Sequence, residues 1–463
     1  MLKIIKNNPK KIFNLFVWLL ILAILFLFNF NHYLSADEGV TLNGAWSLYQ
    51  GLHIYRDFFA FIPPASFYFI LCFWKIFGPS FLVAKLVSIF TIFLGAIGIY
   101  KISQKISSSK YLMLVPFLFI AIMSGSWAAI NHNTFNLVAM IWALFFTIKS
   151  LDHKNRLDII WAGLLGGLSL LFLQQKGAAL LGAITLSFII FYWQGKNKIY
   201  LQNLLKFCVT AIIPISILLL WPVKTILYDL FIFPFIGYKN ANQYPLDILI
   251  VATSIWLLLL LFFAVKKERS KNIWLLIIVQ LFLLATSYAL PDIAHVSQIM
   301  FPASILLFVV IERTLTKSKN NQLKLLLITL IITSLLSLTI LSLAFYNKFS
   351  LDSFIYKNEL IEKIKAYCPN KYLYVGPFLP NLYFETGKIM ATPYDTLIST
   401  QFTDQQFNEA KNFMIKNQPS CAVLVYPSYL ERFHHNPNNP VEFYIRDNYQ
   451  KIWDNNGAVI YKY

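Results

Sequence analysis

Asp37 and Glu38 stand side by side in the stretch SADEGVTLNGAWSLYQGLHIYRDFFAFIPP, and Arg56 and Asp57 follow in it as a second ionisable pair. Carboxylates are the side chains that take up protons in general-base steps, so this stretch is the first place to look for chemistry. Three further positions carry ionisable groups in otherwise apolar surroundings: Lys85, Lys176 in QQKG, and Asp292 with His295 in PDIAH. Each has a plainer explanation. Ser35-Ala-Asp-Glu38 spells a capping box, S-x-x-E, and acidic residues suit a helix N-terminus. Arg56-Asp57 can be a surface ion pair worth little, and Lys85 can snorkel to a membrane interface. Lys176 can be a plain loop lysine, although an outer lysine runs against the usual charge bias. Capping does not explain Asp57, nor the Pro63-Pro64 turn and apolar segment that follow.

The elements that would position these groups are membrane helices. Of 463 residues, 58% are hydrophobic and 13% charged, too few charges to cover a soluble exterior of this size. Phe13 to Phe30 carries no charge and is long enough to cross a hydrocarbon layer of about 30 Å. It reads as a retained first helix rather than a signal peptide, since no small-residue cleavage site follows. Apolar runs near 13–31, 80–100, 111–130, 134–149, 157–175, 177–193, 203–223, 247–265, 273–290, 293–311 and 325–345 predict about eleven transmembrane helices. The net charge of +18 does not point to nucleic acid, because of where it lies. With a cytoplasmic N-terminus, 21 Lys and Arg fall on inner segments and five on outer loops, Arg56, Lys75, Lys176, Lys224 and Lys239. The positive-inside rule then sets the first loop and the C-terminus outside.

ASFYFILCFWKIFG at 65–78 is apolar but short for a crossing; after Pro63-Pro64 it reads as an interfacial or re-entrant helix. The chain therefore divides into a transmembrane part, 1–345, with an acidic first external loop at 32–79, and an extracytoplasmic tail, 346–463. In the tail, ELIEKIKAYC and TDQQFNEAKNFMIKN have helical periodicity, and KYLYV, CAVLVYP and GAVIYKY read as short strands. That predicts a small α/β domain. Cys368 and Cys421 open the first two strands; a disulfide and two buried thiols both remain open.

The run from Ala36 to Leu86, with Asp37-Glu38, Gly51, Pro63-Pro64, Phe77-Gly78 and Lys85, resembles the first external loop of the GT-C glycosyltransferases. It is most similar to the protein O-mannosyltransferase and lipid A aminoarabinose transferase-like family of lipid-linked-sugar transferases. QQKG and PDIAH resemble later motifs of that family, whereas His132 in NHNTFNL stands where relatives often carry an acidic residue, and reads as a solvated histidine. The resemblance implies an inverting glycosyltransferase of the bacterial plasma (inner) membrane, with its active site outside. Its donor would be a sugar on a polyprenyl phosphate drawn from the membrane lipid. Its acceptor would be a glycan, lipid or protein. Asp37 would be the base, with Glu38 as its neighbour or orienter. Arg56, Asp57, Lys85, Lys176, Asp292 and His295 would contact substrate, and Arg56, Lys85 and Lys176 are available to a phosphate leaving group. Use of a divalent metal ion is left open. The rivals are a transporter or flippase for a lipid-linked glycan, whose ionisable groups would gather near mid-membrane in repeated halves, and a non-catalytic membrane scaffold.

Overall fold

The computed structural model describes residues 9–30, 36–109, 112–124, 130–152, 157–237, 246–288, 291–317, 358–426, 428–455 and 457–463. Its helices follow the apolar runs: α1 (Pro9–Phe30), α2 (Ala36–Tyr49), α3 (Ala65–Phe77), α4 (Phe81–Ile106), α5 (Leu114–Ser124), α6 (His132–Leu151), α7 (Leu157–Phe172), α8 (Gln174–Gly195) and α9 (Ile199–Ile215). After a 3-10 turn at Ser216–Leu220 come α10 (Val223–Leu227), one π-helical turn at Tyr228–Ile232, and α11 (Phe233–Gly237). Then follow α12 (Asp247–Val265), α13 (Lys271–Thr286), α14 (Ile293–Ile299) and α15 (Phe301–Lys317). Among the described residues, five helices are long and apolar enough to cross a membrane: α4, α6, α8, α9 with its 3-10 extension, and α12. α14 and α15, bent by 60°, can form a sixth span, and α7, α13 and part of α1 are shorter apolar helices. The run at 325–345 lies outside the described residues.

Close packing in lipid rests on small residues, because apolar surface alone does not draw helices together there. α7 shows this: a Cβ on Gly167 would sit 2.2 Å from the Ala211 carbonyl oxygen of α9. α3 is 13 residues, about 20 Å at 1.5 Å per residue, too short to span. Pro64 precedes it and Gly78, at φ 83°, ends it, a left-handed position that glycine reaches at no steric cost. Its Phe67, Ile70 and Trp74 are buried. It lies against α2 and α4, the half-length helix that its sequence predicts.

The tail begins with a helix at 358–367, α16. It continues as β1 (Tyr372–Pro377), α17 (Asn381–Thr386), β2 (Ile389–Met390), α18 (Asp404–Asn417), β3 (Cys421–Val425), α19 (Pro440–Asn448), β4 (Gln450–Asn455) and β5 (Ala458–Lys462). The sheet order is β2-β1-β3-β5-β4. β1 runs parallel to β2 and β3, and β5 antiparallel to β3 and β4. Cys368 precedes β1 and Cys421 opens its parallel neighbour, so their Cα atoms lie 5.5 Å apart and the two are joined by a disulfide.

The first loop and the tail share one core. Leu48, Ile54 and Phe58 pack in the same cluster as Leu360, Leu373 and Val423. Trp74 of α3 stacks on Phe384 of α17 at 4.9 Å, and the Trp46 indole N–H donates to the Lys388 carbonyl at 2.8 Å. Gly39 is needed at this seam, since a Cβ there would sit 2.6 Å from the Asn381 backbone nitrogen.

Candidate active site

α2 carries Asp37 and Glu38 in its first turn. Successive helical residues point about 100° apart, and the two carboxylates part accordingly. Asp37 is exposed, while Glu38 is fully buried. Glu38 Oε1 accepts from Lys85 Nζ at 2.7 Å and from the Ile130 backbone N–H at 3.1 Å. Lys85, on the second turn of α4, is itself buried, with its ammonium 5.3 Å from the centre of the Phe81 ring. A buried charge persists only when paired and hydrogen-bonded, and these contacts supply that. Ser35, the cap oxygen of the expected capping box, lies outside the described residues.

Three residues beyond Ile130 the chain reaches a second cluster. Asn131 caps α6 through its side-chain oxygen, which accepts from the Asn133 backbone N–H at 2.8 Å. Asn133 Oδ1 then accepts from Lys176 Nζ at 2.9 Å, and Gln298 Oε1 of α14 accepts from the same ammonium at 3.1 Å. Lys176 is buried, and no carboxylate among the described residues forms a direct ion pair with it. α8 can place it there because α7 breaks at Leu173 and α8 restarts at Gln174. Gly177 lets the new helix press on α7: a Cβ there would sit 2.3 Å from Leu170 Cα. Asp292 caps α14, accepting from the His295 backbone N–H at 2.8 Å, and both its oxygens lie 2.9 Å from His295 Nδ1. His132 is half-buried rather than solvated, with Nε2 3.0 Å from Asn133 Nδ2. It lies within electrostatic reach of Lys176 and His295. Segment 130–133 therefore joins the Glu38–Lys85 pair to the Lys176, Asp292 and His295 cluster.

Superposition of the whole chain on known structures covers 97% of it and 97% of ArnT from Cupriavidus metallidurans bound to undecaprenyl phosphate, with a TM-score of 0.66 and 12% identity. The apo state of the same transferase matches at a TM-score of 0.65 over 98% of both chains, again with 12% identity. The Archaeoglobus fulgidus oligosaccharyltransferase, tethered with an acceptor peptide containing the NVT sequon, matches at 0.56 and 12% identity, over 89% of this chain and 69% of the other. The chain has the GT-C fold. At this identity the likeness is one of fold. No family model and no curated protein matches the sequence.

Within the GT-C fold, Arg56 and Asp57 bond to neither cluster. The Arg56 guanidinium donates to both oxygens of Asp57, at 2.9 and 2.8 Å, and the His53 backbone N–H adds a third bond at 2.8 Å. The bond from Arg56, foremost, holds the Asp57 carboxyl below the usual carboxylate range. The pair lies on a cleft of about 410 Å³ between the first loop and the tail. Sequence reasoning missed Asn131, Asn133 and Gln298, whose amides carry no charge to mark them. It also missed Asp229 and Asp395. Burial pushes both carboxyls up to about 7. Among the described residues, no group of three His, Cys, Asp or Glu converges as a metal site.

Proposed function

We propose that the protein is an inverting glycosyltransferase that moves a sugar from a polyprenyl-phosphate donor to an acceptor at the outer face of a bacterial-type plasma membrane. The observation that carries this reading is the full-length likeness to a transferase seen with undecaprenyl phosphate, combined with an exposed carboxylate, Asp37, at the head of the first-loop helix. Asp37 is the base. As the acceptor oxygen bonds to the anomeric carbon, Asp37 takes its proton, the bond from that carbon to the phosphate oxygen breaks, and its electron pair leaves with the lipid phosphate. Glu38 already accepts from Lys85 and Ile130, so it positions α2 rather than moving a proton. Lys176, bonded to the amide oxygens of Asn133 and Gln298, is the nitrogen donor available to the developing phosphate, with Asp292 and His295 nearby. The ionisable groups sit at the heads of helices α2, α6, α8 and α14, which favours a surface reaction over a transport path through mid-membrane. Cells lacking the protein should accumulate one polyprenyl-phosphate-linked sugar, and the purified protein in lipid should consume it. Unchanged pools of every such lipid in those cells would remove the reading.

A further inference from the structure

The cleft between the first loop and the tail holds a carboxylate that the chemistry above does not use. Asp229 lines it from the single π-helical turn after α10, and such turns recur at functional sites. Asp229 is only 5% exposed, yet among the described residues it has no hydrogen-bond partner. Its polar neighbours are turned elsewhere: the Tyr55 hydroxyl donates to the Ile62 carbonyl at 2.9 Å, and the Tyr394 hydroxyl to Glu409 Oε2 at 2.9 Å. The Asp229 carboxyl opens on the cleft rather than into the core, so a molecule in the cleft can reach it. Burial pushes its carboxyl up to about 7, where it can both donate to and accept from hydroxyls near neutral pH.

The rest of the lining says what kind of ligand. Asp57, Asp229 and Glu409 face one cation, Arg56, which Asp57 already occupies. An anionic phosphate would meet repulsion there. Tyr372, 40% exposed, and half-buried Phe413 add aromatic surface, against which the C–H face of a sugar ring can pack, as apolar surface does. The volume, about 410 Å³, falls within the roughly 300–1,000 Å³ of small-molecule sites. We propose that this cleft is a saccharide subsite, separate from the Asp37 centre, which takes an uncharged, hydroxyl-rich glycan. That the glycan is the acceptor's rests on the transferase reading; that the cleft binds a saccharide does not.

Binding without turnover tests this. The full chain in lipid nanodiscs is titrated by saturation-transfer NMR with neutral tetramers of glucose, mannose, galactose and N-acetylglucosamine. At least one should bind. Asp229→Asn, which keeps the shape of the protonated carboxyl, and Phe413→Ala should each weaken that binding tenfold or more. Saturating undecaprenyl phosphate should leave the saccharide in place. The proposal is overturned if none of the four binds, if both variants bind as the wild type does, or if undecaprenyl phosphate displaces the saccharide, which would assign it to the donor site. Intact, cleft-dependent binding in a protein that consumes no lipid-linked sugar would remove the transferase reading alone.

Discussion

Asp37 and Glu38 are neighbours in sequence with opposite surroundings, and substitution separates their roles. Asp37→Asn keeps size and capping ability, since Asn and Asp are comparable caps, and removes only the basic carboxylate. Sugar transfer by the purified variant should fall roughly 10²-fold or more, with thermal stability near that of the wild type; turnover within a few-fold of wild type would leave Asp37 a structural residue. Glu38 should behave in the reverse order. Lys85→Met alone leaves Glu38 buried without its cation, a loss of about 3–5 kcal/mol. Joint replacement, Glu38→Leu with Lys85→Met, should restore much of that, because two apolar side chains need no pairing. Thermal unfolding of the single and double variants reads this directly, and equal losses in both would refute a charge-pair origin. The residue types at this site were legible in the sequence, while their pairings were not. Lys85 finds Glu38 across 47 positions and Lys176 finds Gln298 across 122. Hydrophobic periodicity says which face of a helix is buried, but carries no register between one helix and another.

Elements with local signals were read correctly. Thr403 caps α18 in a reciprocal box with Gln406, a pattern that is complete within four residues. α3 announced its short length, its starting proline and its terminal glycine. β4 was missed for a physical reason: its pattern runs exposed-exposed-half-half-exposed-half, so it has no apolar alternation and forms only because β5 offers a ladder. The seam between first loop and tail was also invisible, because Gly39 and Asn381, Trp46 and Lys388, and Trp74 and Phe384 meet only in three dimensions. The disulfide sits behind this seam and closes a separation of 53 residues. Disulfides of this kind contribute about 2–4 kcal/mol, so Cys368→Ala should lower the unfolding temperature of the tail and open it to limited proteolysis. The loop packed on it should be cleaved in the same step, since both share one core. Cleavage of the tail with the loop left resistant would show that the two are separate folding units.

Over the whole molecule, the distribution of charge makes a statement that no single helix makes. Each group of lysines and arginines between alternate spans is a small bias, but together they oppose the sparse basic residues of the other face. The same division places the candidate chemistry. By that expectation Asp37, Lys176 and Asp292 fall at the end whose loops between spans carry few cations, and KKERSK at 266–271 falls at the other, while the tail carries twelve Lys and Arg of its own. On the transferase reading proposed above, a lipid phosphate at Lys176 is expected at the headgroup level of the outer leaflet. This arrangement can be read by thiol labelling in cells, in a protein with Cys72 and Cys208 replaced, since both are free. Asn438 on the tail and Lys267 after α12 are exposed, so cysteine at either reports access rather than burial. Asn438→Cys should react with an impermeant reagent in intact cells, and Lys267→Cys only once the membrane is opened. If Lys267→Cys were labelled in intact cells and Asn438→Cys were not, the site would face the cytoplasm. The first-loop carboxylates would then have to work on a donor presented from the inner leaflet.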